Sequence, residues 1–345
     1  MKEAIIVQQA SRALGGRLPP GWKQRVVSAK STARDDGRDA IIEITGPNSV
    51  KARLVIQVKN HVYPRDVTAL KSRLEQYSSG PYLVVAPFLA PSTRRRLQEE
   101  NLNYVDTTGN VRLVLDRPGM YLETPGANTD PSPGDAPGRS LRGPKAGRIV
   151  RALCDFPAPL SISDLAAKAG VDVSYASRLV DWLAREAVLT RAPRGPVQTV
   201  QQAQMIRRWA QDYAVLKSND VRSFLDPRGL TNFVQRLRES RFRYAVTGSM
   251  AAARIAPIAP SRLAMVYVED FDRAAASLKL SPTDAGANVM LLAPFDSVVF
   301  DRTWKDDSTT FVAPSQAAVD LLTSPGRAPA EAEAILEWMA SGGRK

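Results

Sequence analysis

The chain has 345 residues, 44% hydrophobic and 24% charged, enough for two or three separate cores. Lys and Arg outnumber Asp and Glu 47 to 35, a net charge of +12 that points to a polyanionic partner, nucleic acid first. With one cysteine (Cys154) and one histidine (His61), the chain forms no internal disulfide, and a His-rich metal site or a C-terminal Ser-His-Asp triad is disfavoured.

The start, MKEAIIVQQASRALGG, lacks a signal-peptide core, and no apolar run approaches the ~18 residues of a membrane span. A single cysteine fits a reducing compartment, so a cytoplasmic protein without a membrane partner is expected. Abundant Ala, Arg and Pro is associated with GC-rich bacterial genomes. The positive charge is uneven. Residues 1–125 hold 19 Lys/Arg against 12 Asp/Glu, residues 126–200 hold 10 against 7, and residues 201–345 hold 18 against 16.

The predicted elements begin with a helix over 4–14, stopped by Pro19-Pro20. A strand over 22–27 follows, then a polar turn over 34–38. Residues 39–44 and 51–59 read as strands flanking a Gly-Pro-Asn hairpin turn. Residues 64–77 form a helix with Val67, Leu70, Leu74 and Tyr77 on one stripe. A strand over 82–85, a helix over 91–100 carrying Arg94-Arg95-Arg96, and strands over 103–106 and 111–115 complete a mixed α/β sheet with crossover helices.

Asp39 heads one strand, and Gln57-Val58-Lys59 ends the next. Alternation puts Gln57 and Lys59 on one face, where they can converge with Asp39. Residues 1–122 thereby resemble the PD-(D/E)xK, restriction-endonuclease-like superfamily, in the QxK variant of Mrr-like nucleases. The resemblance implies a Mg²⁺ site with Asp39 and Gln57 as ligands and Lys59 assisting attack. Glu43 is a further candidate carboxylate. The other readings are a nuclease-derived fold kept for binding, and an Asp39 that only caps a turn.

Residues 123–144, ETPGANTDPSPGDAPGRSLRGP, are dense in Pro and Gly and predict a flexible tether.

Residues 145–200 predict a winged helix-turn-helix. Ile149, Ala152, Leu153 and Phe156 mark the first helix face. Ser163 is expected to cap a short helix over 164–169, which Gly170 ends in a left-handed turn. Ser174 is expected to cap the third helix, running to about Ala187. Ala176, Leu179, Val180 and Leu183 point inward on it. Ser174, Tyr175, Ser177, Arg178, Asp181 and Arg185 point outward. Small hydroxyls followed by an arginine suit a helix in the major groove, with Ser174, Tyr175, Ser177 and Arg178 at base edges. Residues 189–191 and 197–200 form the wing, and Lys145, Arg148, Arg191 and Arg194 are the expected phosphate contacts. A winged helix that only meets proteins is the alternative.

Residues 201–345 predict an α/β domain: helices over 201–216, 228–240, 250–256, 313–324 and 330–340, and strands over 244–247, 263–268, 288–292 and 298–300. Thr247-Gly248-Ser249 after one strand, with Asp270 and Asp272 after another, resembles a degenerate nucleotidyltransferase core. The order winged helix, VTGSMAAARIAP, YVED, GANVMLLAPFD, APSQAAVDLL resembles the antitoxin regulators of AbiE-type, type IV toxin–antitoxin systems. NLNYVDTTGNVRL in the N-terminal part resembles them too. That resemblance implies an autorepressor that binds duplex DNA, with a cognate toxin or a second copy of itself as partner. The rivals are a Mg²⁺-dependent nuclease targeted by the winged helix and a toxin-binding scaffold.

Overall fold

A computed structural model describes residues 3–29, 39–77, 80–128, 130–132, 140–193 and 195–343. The chain divides into two compact units, residues 1–137 (with 185–187) and residues 138–345 without those three. Both are mixed α/β. The expected turn over 34–38 lies outside the described residues, as do residues 129 and 133–139 of the Pro/Gly tether.

Unit 1 runs α1 (Glu3–Gly15), β1 (Lys23–Ala29), β2 (Ala40–Thr45), β3 (Lys51–Val58), α2 (Val67–Tyr77), β4 (Tyr82–Ala86), α3 (Pro91–Glu99), β5 (Asn103–Asp106), β6 (Val111–Leu115) and β7 (Met120–Thr124). The seven strands lie side by side in sequence order. β3, β4 and β5 are parallel, and the outer pairs are antiparallel. Period-two alternation explains the layers. Ile42, Ile44, Leu54, Ile56, Leu83 and Val85 meet Ile6, Ala10 and Leu14 of α1 on one face. On the other face of β4 and β5, Val84, Ala86 and Tyr104 meet Val67, Leu70 and Leu74 of α2 and Leu97 of α3. β4 is covered on both sides, as parallel strands joined by helical crossovers are. β7 was not expected; it runs two residues, Glu123 and Thr124, into the stretch read as a tether.

Unit 2 opens with α4 (Pro144–Asp155), α5 (Ile162–Ala169), α6 (Val173–Arg185), β8 (Leu189–Arg191) and β9 (Val197–Val200). It continues with α7 (Gln202–Trp209), α8 (Val215–Ser218), β10 (Asp220–Leu225), α9 (Gly229–Glu239), β11 (Tyr244–Thr247), α10 (Gly248–Ile255), β12 (Ala264–Val268), α11 (Phe271–Leu278), β13 (Ser281–Pro282), β14 (Val289–Ala293), β15 (Trp304–Asp306), β16 (Thr309–Phe311), α12 (Pro314–Leu322) and α13 (Ala328–Ala340). Its large sheet has the order β13-β10-β14-β12-β11-β16-β15. β8 and β9 form a separate antiparallel pair.

Three local expectations change. The helix over 201–216 breaks after Trp209, and Tyr213 turns its hydroxyl into a buried polar group on Asp320. Residues 297–300 form a 3-10 turn rather than a strand; Asp296 caps it by accepting from Val298 N at 2.9 Å. Residues 220–225, with no strong alternation, form a strand because β14 supplies an antiparallel partner.

The helix-turn-helix and the α/β domain share one continuous core, running from Leu153, Leu165 and Leu183 through Met205 and Trp209 to Val266, Leu291 and Ile335. α4 is the shared element, with Ile149, Val150, Arg151, Ala152, Leu153 and Cys154 all buried. Gly147 permits the close approach: a Cβ there would lie 3.1 Å from the Phe295 ring.

Candidate nucleic-acid interface

Ser161, rather than Ser163, caps α5. Its Oγ accepts from Asp164 N at 3.0 Å and donates to Asp164 Oδ2 at 2.7 Å, so the helix starts two residues earlier than expected. Gly170 ends α5 at φ 59, ψ 42, the left-handed cap that Gly adopts without a Cβ penalty. Asp172, rather than Ser174, caps α6. Its Oδ1 accepts from Ser174 N at 2.8 Å and Tyr175 N at 3.3 Å, and from the Ser174 hydroxyl. The Ser174 hydroxyl bond is the main reason the Asp172 carboxyl is held below its ordinary range.

α6 divides by face as its sequence predicts. Ala176, Leu179, Val180 and Leu183 are buried. Ser174, Arg178 and Asp181 are exposed; Tyr175 and Ser177 are half-buried. Arg178 Nη1 reaches back to Ser174 Oγ at 3.3 Å, which lays the guanidinium along the outer face.

The four expected phosphate contacts separate. Lys145 is exposed at the start of α4. Arg148 is turned into unit 2, where Nε and Nη2 bond both oxygens of Asp296. Arg191 folds back onto α6 and donates to Asp181 at 2.9 Å, leaving its side chain 8% exposed. Arg194 lies outside the described residues. In both cases a carboxylate close in space engages the guanidinium, something charge counting does not foresee.

Arg151 was not foreseen at all. It is fully buried and donates to Asp155 Oδ2, Val298 O, Gln316 Oε1 and Asp301 O at 2.9–3.1 Å. Gln316 leads on to Asp320, which is wholly buried. It accepts from Tyr213 (2.8 Å), Tyr267 (3.0 Å), Thr247 (2.6 Å) and Gln316 (2.9 Å). Burial pushes its carboxyl up to about 6, against the four donors that lower it. Thr247 of the Thr-Gly-Ser turn is thus a core hydrogen-bond donor. Asp270 caps α11 by accepting from Arg273 N, and Asp272 pairs with Arg222 at the surface. Those two acids are therefore engaged in capping and surface pairing.

In unit 1 the strand pairing does bring Asp39 and Gln57 together. Asp39 Oδ2 accepts from Gln57 Nε2, and from Val58 N at 2.7 Å. Lys59 follows directly, its backbone N–H bonded to Val85 O at 2.9 Å. Glu43 belongs to a different group. It is buried and accepts from Arg25 (3.2 Å), Lys51 (3.1 Å) and Arg53 (3.3 Å). The Lys51 hydrogen bond is the largest influence holding its carboxyl low. Mg²⁺ is commonly held by one or two carboxylates with substrate phosphates and water. Asp39 supplies one, Gln57 turns its amide nitrogen toward it, and Glu43 is engaged by Arg25, Lys51 and Arg53. Among the described residues no group of three or more His, Cys, Asp or Glu side chains could hold a metal ion. Asp106, which sequence reasoning passed over, is buried and accepts from Leu89 N, Thr108 N, Asn110 N and Asn110 Nδ2; it builds the turn into β6.

No family model, curated protein or solved structure matches the chain. Any role is therefore carried by its own side chains. Among the described residues no helix is long and apolar enough to cross a membrane.

Proposed function

We propose that the chain is a sequence-specific duplex-DNA-binding transcriptional regulator, an autorepressor of the antitoxin kind, reading its site through α6. The supporting observation is the open outer face of α6. Within unit 2, Ser174 and Arg178 stay exposed at its N-terminal half while the opposite stripe is buried. That is the half of a recognition helix that meets base edges. The net charge of +12 agrees with a polyanionic partner. A genome-wide map of bound DNA tests this reading. A dominant peak at the protein's own promoter supports autorepression; no enriched site overturns it. A cognate toxin or a second copy of the chain is the expected protein partner, and co-purification tests for either.

The alternative is Mg²⁺-dependent cleavage of DNA by unit 1, favoured by the contact between Asp39 and Gln57. Incubation of the full chain with plasmid and Mg²⁺ or Mn²⁺ decides. Cleavage lost in both Asp39→Ala and Lys59→Ala establishes it; intact plasmid leaves unit 1 a binding fold.

A further inference from the structure

The two faces of β1, β2 and β3 differ in chemistry. One is the apolar face under α1. On the other, strand pairing sets Arg25 opposite Glu43 and Glu43 opposite Arg53, with Lys23 opposite Thr45 and Thr45 opposite Lys51. Directly paired residues share a face, so four cations stand together on three adjacent strands. Glu43 is buried beneath them. The side chains of Arg25, Lys51 and Arg53 remain 70%, 53% and 69% exposed. Lys23 is exposed as well.

Among the described residues, four positive charges over one negative leave this patch at +3. Exposed ion pairs add little to stability, and like charges opposite one another on a sheet repel. Neutralising Glu43 needs one cation, so the other three are not explained by the fold. The arrangement suits a ligand that brings several negative charges at regular spacing.

We propose that this sheet face grips the phosphate backbone of duplex DNA without regard to sequence, as a contact separate from α6. The chemistry of the face selects that occupant. No residue that the pairing places on this face of β1, β2 and β3 is aromatic, and single-stranded nucleic acid is held largely by stacking on aromatic rings. Of the exposed large apolar side chains on these strands, Val26 pairs with Ile42 on the α1 face and Val27 sits in the bulge between Val26 and Ser28, so the four cations are not set among a cluster of the apolar anchors that a membrane surface needs. Exposed cations on a rigid sheet are what backbone contact requires.

The test uses the full chain and a fluorescent duplex of random sequence, titrated at increasing NaCl. Lys23→Gln with Arg25→Gln is the first variant. Glu43→Gln with Lys51→Gln and Arg53→Gln is the second; it removes the buried charge together with its partners, so it stays informative if the first fails to fold. Loss of two phosphate contacts should lower the slope of log K against log salt by about 1.8. Preference for a specific site should survive. Arg178→Ala should do the reverse, relaxing preference while this slope persists, which separates failure of this proposal from failure of the α6 reading. Folded variants with unchanged affinity and slope overturn the proposal. So does binding, sensitive to these substitutions, only to oligo-dT, to phosphatidylserine vesicles or to poly-glutamate.

Discussion

Arg148 and Asp296, 148 positions apart in the chain, close a two-pronged ion pair, Nε 3.0 Å from Oδ1 and Nη2 2.8 Å from Oδ2. The pair ties α4 to the 3-10 turn at Ser297–Phe300. Asp296 is nearly buried, so Arg148→Ala leaves an uncompensated carboxylate. The expected loss is about 1–3 kcal/mol in urea unfolding. The salt dependence of DNA binding should hardly change. A clear drop in the salt slope with unchanged stability would instead make Arg148 a phosphate contact.

Arg151 lies one turn away with a larger role. Its guanidinium satisfies two backbone carbonyls and two side chains inside the unit. Arg151→Met removes four donors from buried acceptors and should cost about 3–5 kcal/mol. A melting temperature within a degree or two of the parent would contradict that accounting.

Arg178 carries the functional case. Arg178→Ala should weaken specific duplex binding by about 1–3 kcal/mol and relax one base position. Mobility shifts on a randomised site library measure both. Unchanged affinity and unchanged preference would remove α6 from the interface.

Asp320 sets a pH dependence with a defined sign. Its folded carboxyl titrates at about 6, above the ordinary 3.8, chiefly because burial disfavours the charge. The folded state therefore holds this proton more tightly than the unfolded chain. The contribution is fully present below pH ~4 and is lost as pH rises through 6, on the order of 3 kcal/mol. Relative to Asp320→Asn, the parent should lose stability between pH 4 and 6 and run parallel above 7. Urea unfolding across that range checks it; a gap that widened in the parent's favour with rising pH would refute it.

Much of the architecture was legible. Alternation in KARLVIQVK and the flanking turns placed the strands of unit 1, because each is half-buried and obeys a period of two. Gly170 and the stripe Ala176, Leu179, Val180, Leu183 placed the helix-turn-helix for the same kind of reason. The caps were harder. Ser161 and Asp172 sit beside Ser163 and Ser174, and only hydrogen-bond geometry distinguishes neighbouring cap candidates. Long-range carboxylates were not legible at all. Nothing near Arg148, Arg151 or Arg191 in sequence announces Asp296, Gln316 or the reach back to Asp181. A count of arginines overstates how many are free to meet phosphate.

α4, enclosed on both flanks, bears on how this protein could be divided. A fragment ending at Val200 would strip the covering from one side of that helix. One beginning at Gln201 would uncover Trp209 and Phe295, the rings that pack on Gly147. The helix-turn-helix is therefore not a cassette that recombination or cloning can lift out; the smallest piece that keeps its shared core covered spans Leu141 to the end of α13.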